Sequence, residues 1–323
     1  MPLLPILTLG PATSSEALMA ELLEVAGAFR LNASHLSAED LGRWLDALAR
    51  LFQARGREIP VYVDLQGAKV RIGSYPACER LPDRVRLVRH GEGSSPEAIP
   101  VPHDSFFQAL RPGDTLTLND ARVWLRVLAT GPESCDAEVV RNGPLSSHKG
   151  VNRTVRPLPC PRLSEADGRA VEVALRHGFT RFAFSFVHDG TEADLLRPRT
   201  GSRPLAAKIE FPEAMAHLEA IAPRFDELWL CRGDLGAQAG LTALGPLQED
   251  FARRLPALGK PGYLAGQVLE HMTWFPQPTR AEVVGLYQAE RDGFAGFVLS
   301  DETAVGRHPL EVARFLASLR PGG

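Results

Sequence analysis

The chain is short of the features that mark several functional classes. It carries only four cysteines, Cys78, Cys135, Cys160 and Cys231, scattered with no CxxC pair and no metal-ligand spacing. That pattern supports neither a thiolate metal site nor a disulfide framework, and reduced thiols in the cytosol are the simplest account. No apolar run approaches the ~18 residues of a membrane span. The apolar start, Met1 to Leu7, lacks a basic opening and a small-residue cleavage site, so it reads as a first strand and not a signal peptide. Neither sign of charge dominates: a formal net charge of −3 gives no electrostatic footprint for nucleic acid or membrane.

What is present describes a soluble globular protein, with 44% apolar and 23% charged residues. The length suits a β/α barrel, or a barrel with an insertion. The 26 prolines and 29 glycines fit a chain with many turns between strands and helices. Residues 5–9 read as a strand, and Ser14 or Ser15 can cap a helix with apolar positions at Leu18, Leu22, Leu23 and Ala26. A second strand, Ala28 to His35, ends in polar side chains. A second helix follows from about Ala38 to Ala54, with Leu41, Leu45, Leu48 and Phe52 on one face. The third strand, at Val61–Leu65, exits on charge. Three β-then-α units in succession predict a parallel α/β architecture.

From about Ser74 to Pro161 the rhythm changes to short alternating runs, Val85–Val88, Thr115–Leu118, Val123–Leu128 and Ala137–Val140, separated by Pro, Gly and Asp. That predicts an antiparallel β unit inserted between barrel elements. Helical periodicity returns after Ser164, and five more strands are expected at Arg181–Val187, Pro204–Ile209, Leu228–Cys231, Gly262–Ala265 and Gly296–Leu299. With the first three they make eight, the number a closed barrel needs.

Two strand ends carry the chemistry. Ala207-Lys208-Ile209-Glu210 and Arg232-Gly233-Asp234-Leu235-Gly236 each follow a short apolar run. In a β/α barrel both would deliver their charges to the C-terminal face, where active sites are built. Two carboxylates and an ammonium suit a divalent cation and an anionic substrate oxygen. Either stretch alone would equally serve as a salt bridge on a strand end.

The stretches LGPATSS, RLNASH, DLQGAKVRIG, SSHKGVN, FSFV, AKIE, RGDLG, PTRAEV and LSDETAVGRHP occur in an order and spacing that resembles the pyruvate kinase family, through nearly the whole chain. The resemblance implies a (β/α)8 TIM barrel at 1–72 and 162–323, with an antiparallel β-barrel lid domain inserted at 73–161. The family's C-terminal regulatory domain is expected to be absent. The implied activity is a cytoplasmic, glycolytic phosphotransferase that converts phosphoenolpyruvate and ADP to pyruvate and ATP with Mg2+ or Mn2+. No nucleic acid or membrane partner is expected, and the protein would be a monomer or small homo-oligomer.

By the same resemblance, Glu210 and Asp234 would hold the divalent metal, and Lys208 and Arg30 would be catalytic. Arg232, Gly233, Asp234, Ser300 and Glu302 would bind substrate, the first three through their amides. Asn32, His35, Arg71 and Lys149 would contact nucleotide. Asn32, Ser34 and Asp64 would form the monovalent-cation site. Lys69 and Leu65 resemble members in which an internal ammonium replaces potassium, so independence from potassium is expected.

The departures from the family pattern concern the floor of the pocket. Gly266 stands where the family has a proton-relaying threonine, and Phe211 where it has an asparagine. General-acid help is typically worth ~10²–10⁴-fold, so weakened or altered activity is expected. Asp301 replaces a glycine, and Asn119-Asp120-Ala121 an Asp-Asp-Gly turn. Gly266 and Phe211 motivate an alternative: a metal-enolate enzyme (decarboxylase, aldolase or other phosphotransferase) acting on another 2-oxo acid. A non-catalytic binder is a third reading, disfavoured because Lys208, Glu210 and Asp234 are all kept.

Overall fold

The computed structural model describes residues 3–67, 70–89, 95–119, 121–153 and 163–319. Lys69, Asp120 and Cys160 lie outside the described residues. In chain order the strands are β1 (Leu4–Thr8), β2 (Ala28–Asn32), β3 (Val61–Leu65), β4 (Val70–Arg71), β5 (Arg84–Val88) and β6 (Ala98–Pro100). There follow β7 (Thr115–Leu118), β8 (Val123–Thr130), β9 (Ser134–Arg141) and β10 (Gly150–Arg153). The last five are β11 (Thr180–Phe184), β12 (Leu205–Ile209), β13 (Glu227–Cys231), β14 (Gly262–Ala265) and β15 (Gly296–Leu299). Helices α1 (Glu16–Val25) and α2 (Ala38–Arg55) follow the first two strands, and α3 (Asp104–Ala109) lies between β6 and β7. Next come α4 (Glu165–Ala174), α5 (Ala193–Thr200), α6 (Pro212–Ala216), α7 (Leu218–Ile221), α8 (Arg232–Ala239) and α9 (Leu241–Leu258). The series ends with α10 (Arg280–Arg291), α11 (Asp301–Ala304) and α12 (Pro309–Ser318).

Eight strands, β1-β15-β14-β13-β12-β11-β3-β2, close into a barrel, and every neighbouring pair is parallel. Local sequence explains the helix starts. Ser15, Ser37, Ser164 and Thr279 each accept an N–H from the first turn, at Leu18, Asp40, Asp167 and Glu282, so the donors a helix N-terminus leaves unpaired find partners. Inside the barrel three large aromatics, Tyr62, Trp229 and Tyr263, share the space with the small residues Ala28, Ala183, Ala206 and Ala265. Tyr62 and Tyr263 meet Trp229 edge-on, with centroids 5.0 and 6.3 Å away. A barrel of eight strands has room for side chains alone, and alternation of large and small fills it. Trp229 is thus core, as its strand position suggests.

The chain groups into two compact units. One holds Met1–Gly67, Leu163–Gly233 and Leu244–Gly323; the other holds Ala68–Arg162 together with Asp234–Ala243. The second unit contains a seven-stranded curled sheet in the order β4-β10-β7-β8-β9-β5-β6, built on its own core of Ile72, Leu87, Phe106, Leu116, Leu125 and their neighbours. Its pairs are antiparallel except β5–β6, which is parallel. The outer strands of this curled, mainly antiparallel sheet are β4 and β6, in the segment where the sequence predicted an inserted antiparallel β unit. Pro100 ends β6, and a residue without an N–H belongs on such an edge. No helix among the described residues is long and apolar enough to cross a membrane.

Candidate active site

Five neighbouring strands of the barrel, β1, β2, β3, β11 and β12, deliver Thr8, Arg30, Asp64, Ser185 and Lys208 to the C-terminal end. Glu210 follows β12 directly. Asp64 and Glu210 are each only 1% exposed, and the Lys208 side chain is 12% exposed. Arg30 donates from Nε to Asp64 Oδ2 at 2.8 Å, with its Nη2 2.5 Å from the same oxygen. Its Nη1 donates to the Thr8 hydroxyl at 2.8 Å, and that hydroxyl donates to the Leu299 carbonyl at 2.5 Å. Lys208 Nζ lies 3.2 Å from Asp64 Oδ2 and 3.2 Å from Glu210 Oε1. It also donates to the Ser185 hydroxyl at 2.8 Å, and that hydroxyl donates to the Leu65 carbonyl at 2.8 Å.

Burial alone would push Asp64 toward its neutral form, but the charges of Lys208 and Arg30 and their hydrogen bonds outweigh it and hold the carboxyl below its usual range. Burial would likewise favour a neutral Lys208; the carboxylates of Asp64 and Glu210 reverse this and raise its pKa above that of a free lysine. Lys208 is therefore a fixed positive charge at neutral pH and not a base. Glu210 accepts the Phe186 N–H on Oε2 at 2.6 Å. Phe186 makes that bond from a left-handed backbone, φ +58°, an expensive conformation for a bulky residue. The Phe186 ring stacks on Phe211 at 5.9 Å, and His188 packs on the same ring at 5.5 Å. Phe211 thus fills a buried slot under the strained turn.

The rim beyond β13, β14 and β15 is organised by two opposite charges. Arg232, the first residue of α8, donates to the carbonyls of Gly266 at 2.9 Å and Gln267 at 2.8 Å. Glu302, 1% exposed, accepts the N–H groups of Val268 and Leu269 on Oε1, at 3.0 and 3.2 Å, and that of Ser300 on Oε2 at 2.7 Å. Both side chains thereby fix loop backbone. The α8 N-terminus presents the amides of Arg232, Gly233 and Asp234 in its first turn, an arrangement suited to anions. Gly266 adopts φ +87°, and a Cβ there would lie 3.1 Å from the Gly233 nitrogen and 3.5 Å from that of Arg232. Its lack of a side chain therefore goes with both a left-handed backbone and close quarters at these amides.

The remaining expected residues fall elsewhere. Asn32 sits beside Asp64 across β2 and β3, and its side-chain oxygen accepts the Ser34 N–H at 3.2 Å, capping the short turn Ala33–His35. His35 is exposed. In the second unit, β4 and β10 bring Arg71 and Lys149 together: Arg71 pairs with Gly150, Ile72 donates to the Lys149 carbonyl at 2.9 Å, and Arg71 Nη1 donates to the His148 carbonyl at 2.8 Å. Thr8 and Ser185 were not singled out from sequence, although both lie within or beside stretches that were. Asp167 gave no functional signal at all.

The model of the pyruvate kinase barrel domain matches residues 5–313 of this chain. The chain belongs to the pyruvate kinase family. A pyruvate kinase of Agrobacterium vitis is 34% identical, over 97% of this chain and 68% of the relative. Those of Mycobacterium tuberculosis and Aeropyrum pernix are each 32% identical over 97% of this chain, covering 68% and 69% of their own lengths. Pyruvate kinases use a divalent metal, and the residues here fit a hard one. Glu210 is a buried oxygen donor at the C-terminal rim, and no group of three or more His, Cys, Asp or Glu that could hold a metal occurs among the described residues. A carboxylate oxygen such as that of Glu210 is the donor type that hard divalent cations take.

Proposed function

We propose that the protein transfers a phosphoryl group from phosphoenolpyruvate to ADP, giving pyruvate and ATP, with Mg2+ or Mn2+ as cofactor. The observation that carries this reading is the charged Lys208 ammonium, held between Asp64 and Glu210 at the C-terminal end of a closed barrel in a chain of this family. A divalent ion held by Glu210 and Asp234 would neutralise charge on the phosphoryl and enolate oxygens. Lys208 supplies a positive charge to the phosphoryl group in transit, and Arg30, oriented by Thr8 and Asp64, supplies a second. The amides of Arg232, Gly233 and Asp234 orient the substrate carboxylate, on a rim fixed by Ser300 and Glu302. Asn32, His35, Arg71 and Lys149 are the proposed nucleotide contacts. Gly266 has no hydroxyl to give, so protonation of the enolate carbon goes through water or another group.

The proposal extends to the monovalent cation. Asn32, Ser34 and Asp64 are the residues that would hold one, and Leu65 and Lys69 point to potassium independence. The position of Asp64, already facing two cations, weighs on the same side. The protein would act in the cytoplasm, in glycolysis, as a monomer or small homo-oligomer.

The deciding experiment is pyruvate formation from phosphoenolpyruvate and ADP with Mg2+, with Lys208→Ala as control and with potassium exchanged for a bulky organic cation. Turnover that Lys208→Ala abolishes supports the kinase. Tight oxalate binding without turnover favours the second reading, enolate chemistry on another 2-oxo acid, which Gly266 and Phe211 motivate.

A further inference from the structure

We propose that Asp167 is a positioning residue for the Lys208–Glu210 pair, acting through the turn that follows β3. Asp167 is the third residue of α4 and only 2% exposed. An acid in the first turn of a helix ordinarily serves that helix, through its dipole or its free N–H groups. Here that service comes from Ser164, whose hydroxyl accepts the Asp167 N–H at 3.0 Å. The Asp167 carboxylate turns away to a distant segment: Oδ1 accepts the Gln66 N–H at 2.9 Å and Oδ2 the Gly67 N–H at 3.1 Å. Two charge-assisted bonds to consecutive amides fix both the position and the tilt of that peptide.

What the turn touches gives the bonds their meaning. Gly67 has φ +58°, and a Cβ on it would stand 2.2 Å from the Ser185 carbonyl oxygen and 3.0 Å from the Ser185 nitrogen. The two backbones are therefore in direct contact at the start of the Ser185–Phe186 turn. Ser185 holds Lys208 through its hydroxyl, and Phe186 holds Glu210 through its N–H. Phe186 is itself left-handed, a conformation that persists only where the surroundings impose it. Gly67, pressed against Ser185 and pinned by Asp167, is one such restraint. The line runs from Asp167 to Gly67, from Gly67 to the Ser185–Phe186 backbone, and from there to both charged groups of the site. The plainer reading is that Asp167 only stabilises α4 and the start of the barrel's second half.

Part of the test rests on the proposed function and part does not. Asp167→Ala, Asp167→Asn and Ser164→Ala are compared for thermal stability, for Mn2+ binding without substrates, for kcat and the KM of ADP, and for hydrogen exchange at the Phe186 amide. Ser164→Ala weakens the same helix and removes the Ser164 contact to the carboxylate, but keeps the carboxylate and its bonds to Gln66 and Gly67. The Asp167 variants are expected to lose about tenfold or more in Mn2+ affinity and in kcat, the usual cost of losing an outer-shell orienting group, with the ADP KM little changed. Exchange at Phe186 should quicken in them and not in Ser164→Ala. Asp167→Asn keeps the volume, so it serves where the alanine variant does not fold. An Asp167→Asn protein that binds Mn2+, turns over and protects Phe186 like wild type, with stability lost in parallel with Ser164→Ala, would overturn the proposal. Should wild type itself show no kinase activity, the proposed reaction fails, but the Phe186 exchange comparison still decides the role of Asp167.

Discussion

At the C-terminal end of the barrel Asp64 meets two cations, Arg30 and Lys208. At the N-terminal end Glu227, the first residue of β13, meets one, Arg181, together with the neutral Tyr62 hydroxyl and the Trp229 indole. Both carboxylates are buried, at 1% and 6% exposure. Their protonation goes in opposite directions. Asp64 is held below its usual range, whereas burial pushes Glu227 up further than Tyr62, Arg181 and Trp229 together pull it down. The same burial, joined by the Glu227 charge, pushes the Tyr62 phenol well above its ordinary range and Tyr263 up to about 12. Burial is thus not what separates the two ends. The second cation is: Arg30 and Lys208 face Asp64 together and hold it ionised, with Lys208 shared by Glu210, whereas Arg181 alone does not offset the burial of Glu227.

Breaking the C-terminal network should have the largest effect. Asp64→Ala leaves Arg30 and Lys208 buried side by side, and removing one partner of a buried pair costs about 3–5 kcal/mol, to be read from urea unfolding. A loss no greater than that of an exposed pair would mean that water reaches this end. Lys208→Ala comes next, with kcat expected to fall about 10²–10³-fold, the scale of deleting one electrostatic contact to a transition state. At the other end, Tyr62→Phe removes a hydroxyl that donates to both Glu227 oxygens at 2.7 Å. It should cost about 1–3 kcal/mol of stability with kcat unchanged, and a fall in kcat would erase the distinction between the two ends.

The smallest effect is also the sharpest, because it concerns a sign. Glu227 has a folded pKa above its unfolded value, so between the ordinary glutamate value of about 4.3 and the raised one the folded state binds more protons, and its contribution to stability falls as pH rises. Asp64 has a folded pKa below its unfolded value, so its contribution is present above about pH 3.9 and is lost as pH falls. Glu227→Gln should abolish the first slope and keep the second, as followed by the thermal midpoint across pH 3–7. A Glu227→Gln protein that retains both slopes would show that another buried acid, Asp167 among them, is responsible for the first.

The reactive end was the more legible of the two in sequence. Lys208, Glu210, Asp234 and Arg232 stand at strand exits where the pattern switches abruptly from apolar to charged, and the eight strands follow from the same switch. Glu227 and Arg181 gave no such signal, since a charge at the start of a strand looks like an ordinary solvated residue. β13 was expected to begin at Leu228, one residue too late to include Glu227. β11 was expected to run to Val187, but it stops at Phe184 because Phe186 turns left-handed to reach Glu210. Asp167 was hidden for a different reason. Its role depends on a turn a hundred residues earlier, and no local pattern records such a contact. The parallel β5–β6 pair was likewise set by a chain path that alternation alone does not specify.

The pairing of β1 with β15, in the register Leu4↔Gly296 to Leu7↔Leu299, joins the earliest barrel strand to the latest. On a ribosome, β1 therefore emerges with one edge that has no partner until β15, Gly296–Leu299, has been made. Such an unpaired apolar edge is a site for mispairing with other chains. The cost of bringing so distant a partner in is modest at equilibrium, since each doubling of a loop adds only about 0.6 kcal/mol, but non-local pairing of this kind slows folding. The ring of charges at the top of the barrel is assembled from strands on β1's other side, Thr8 excepted. Chain closure completes the hydrogen bond from Thr8 to Leu299, so the orientation of Arg30 becomes final only when the last strand docks.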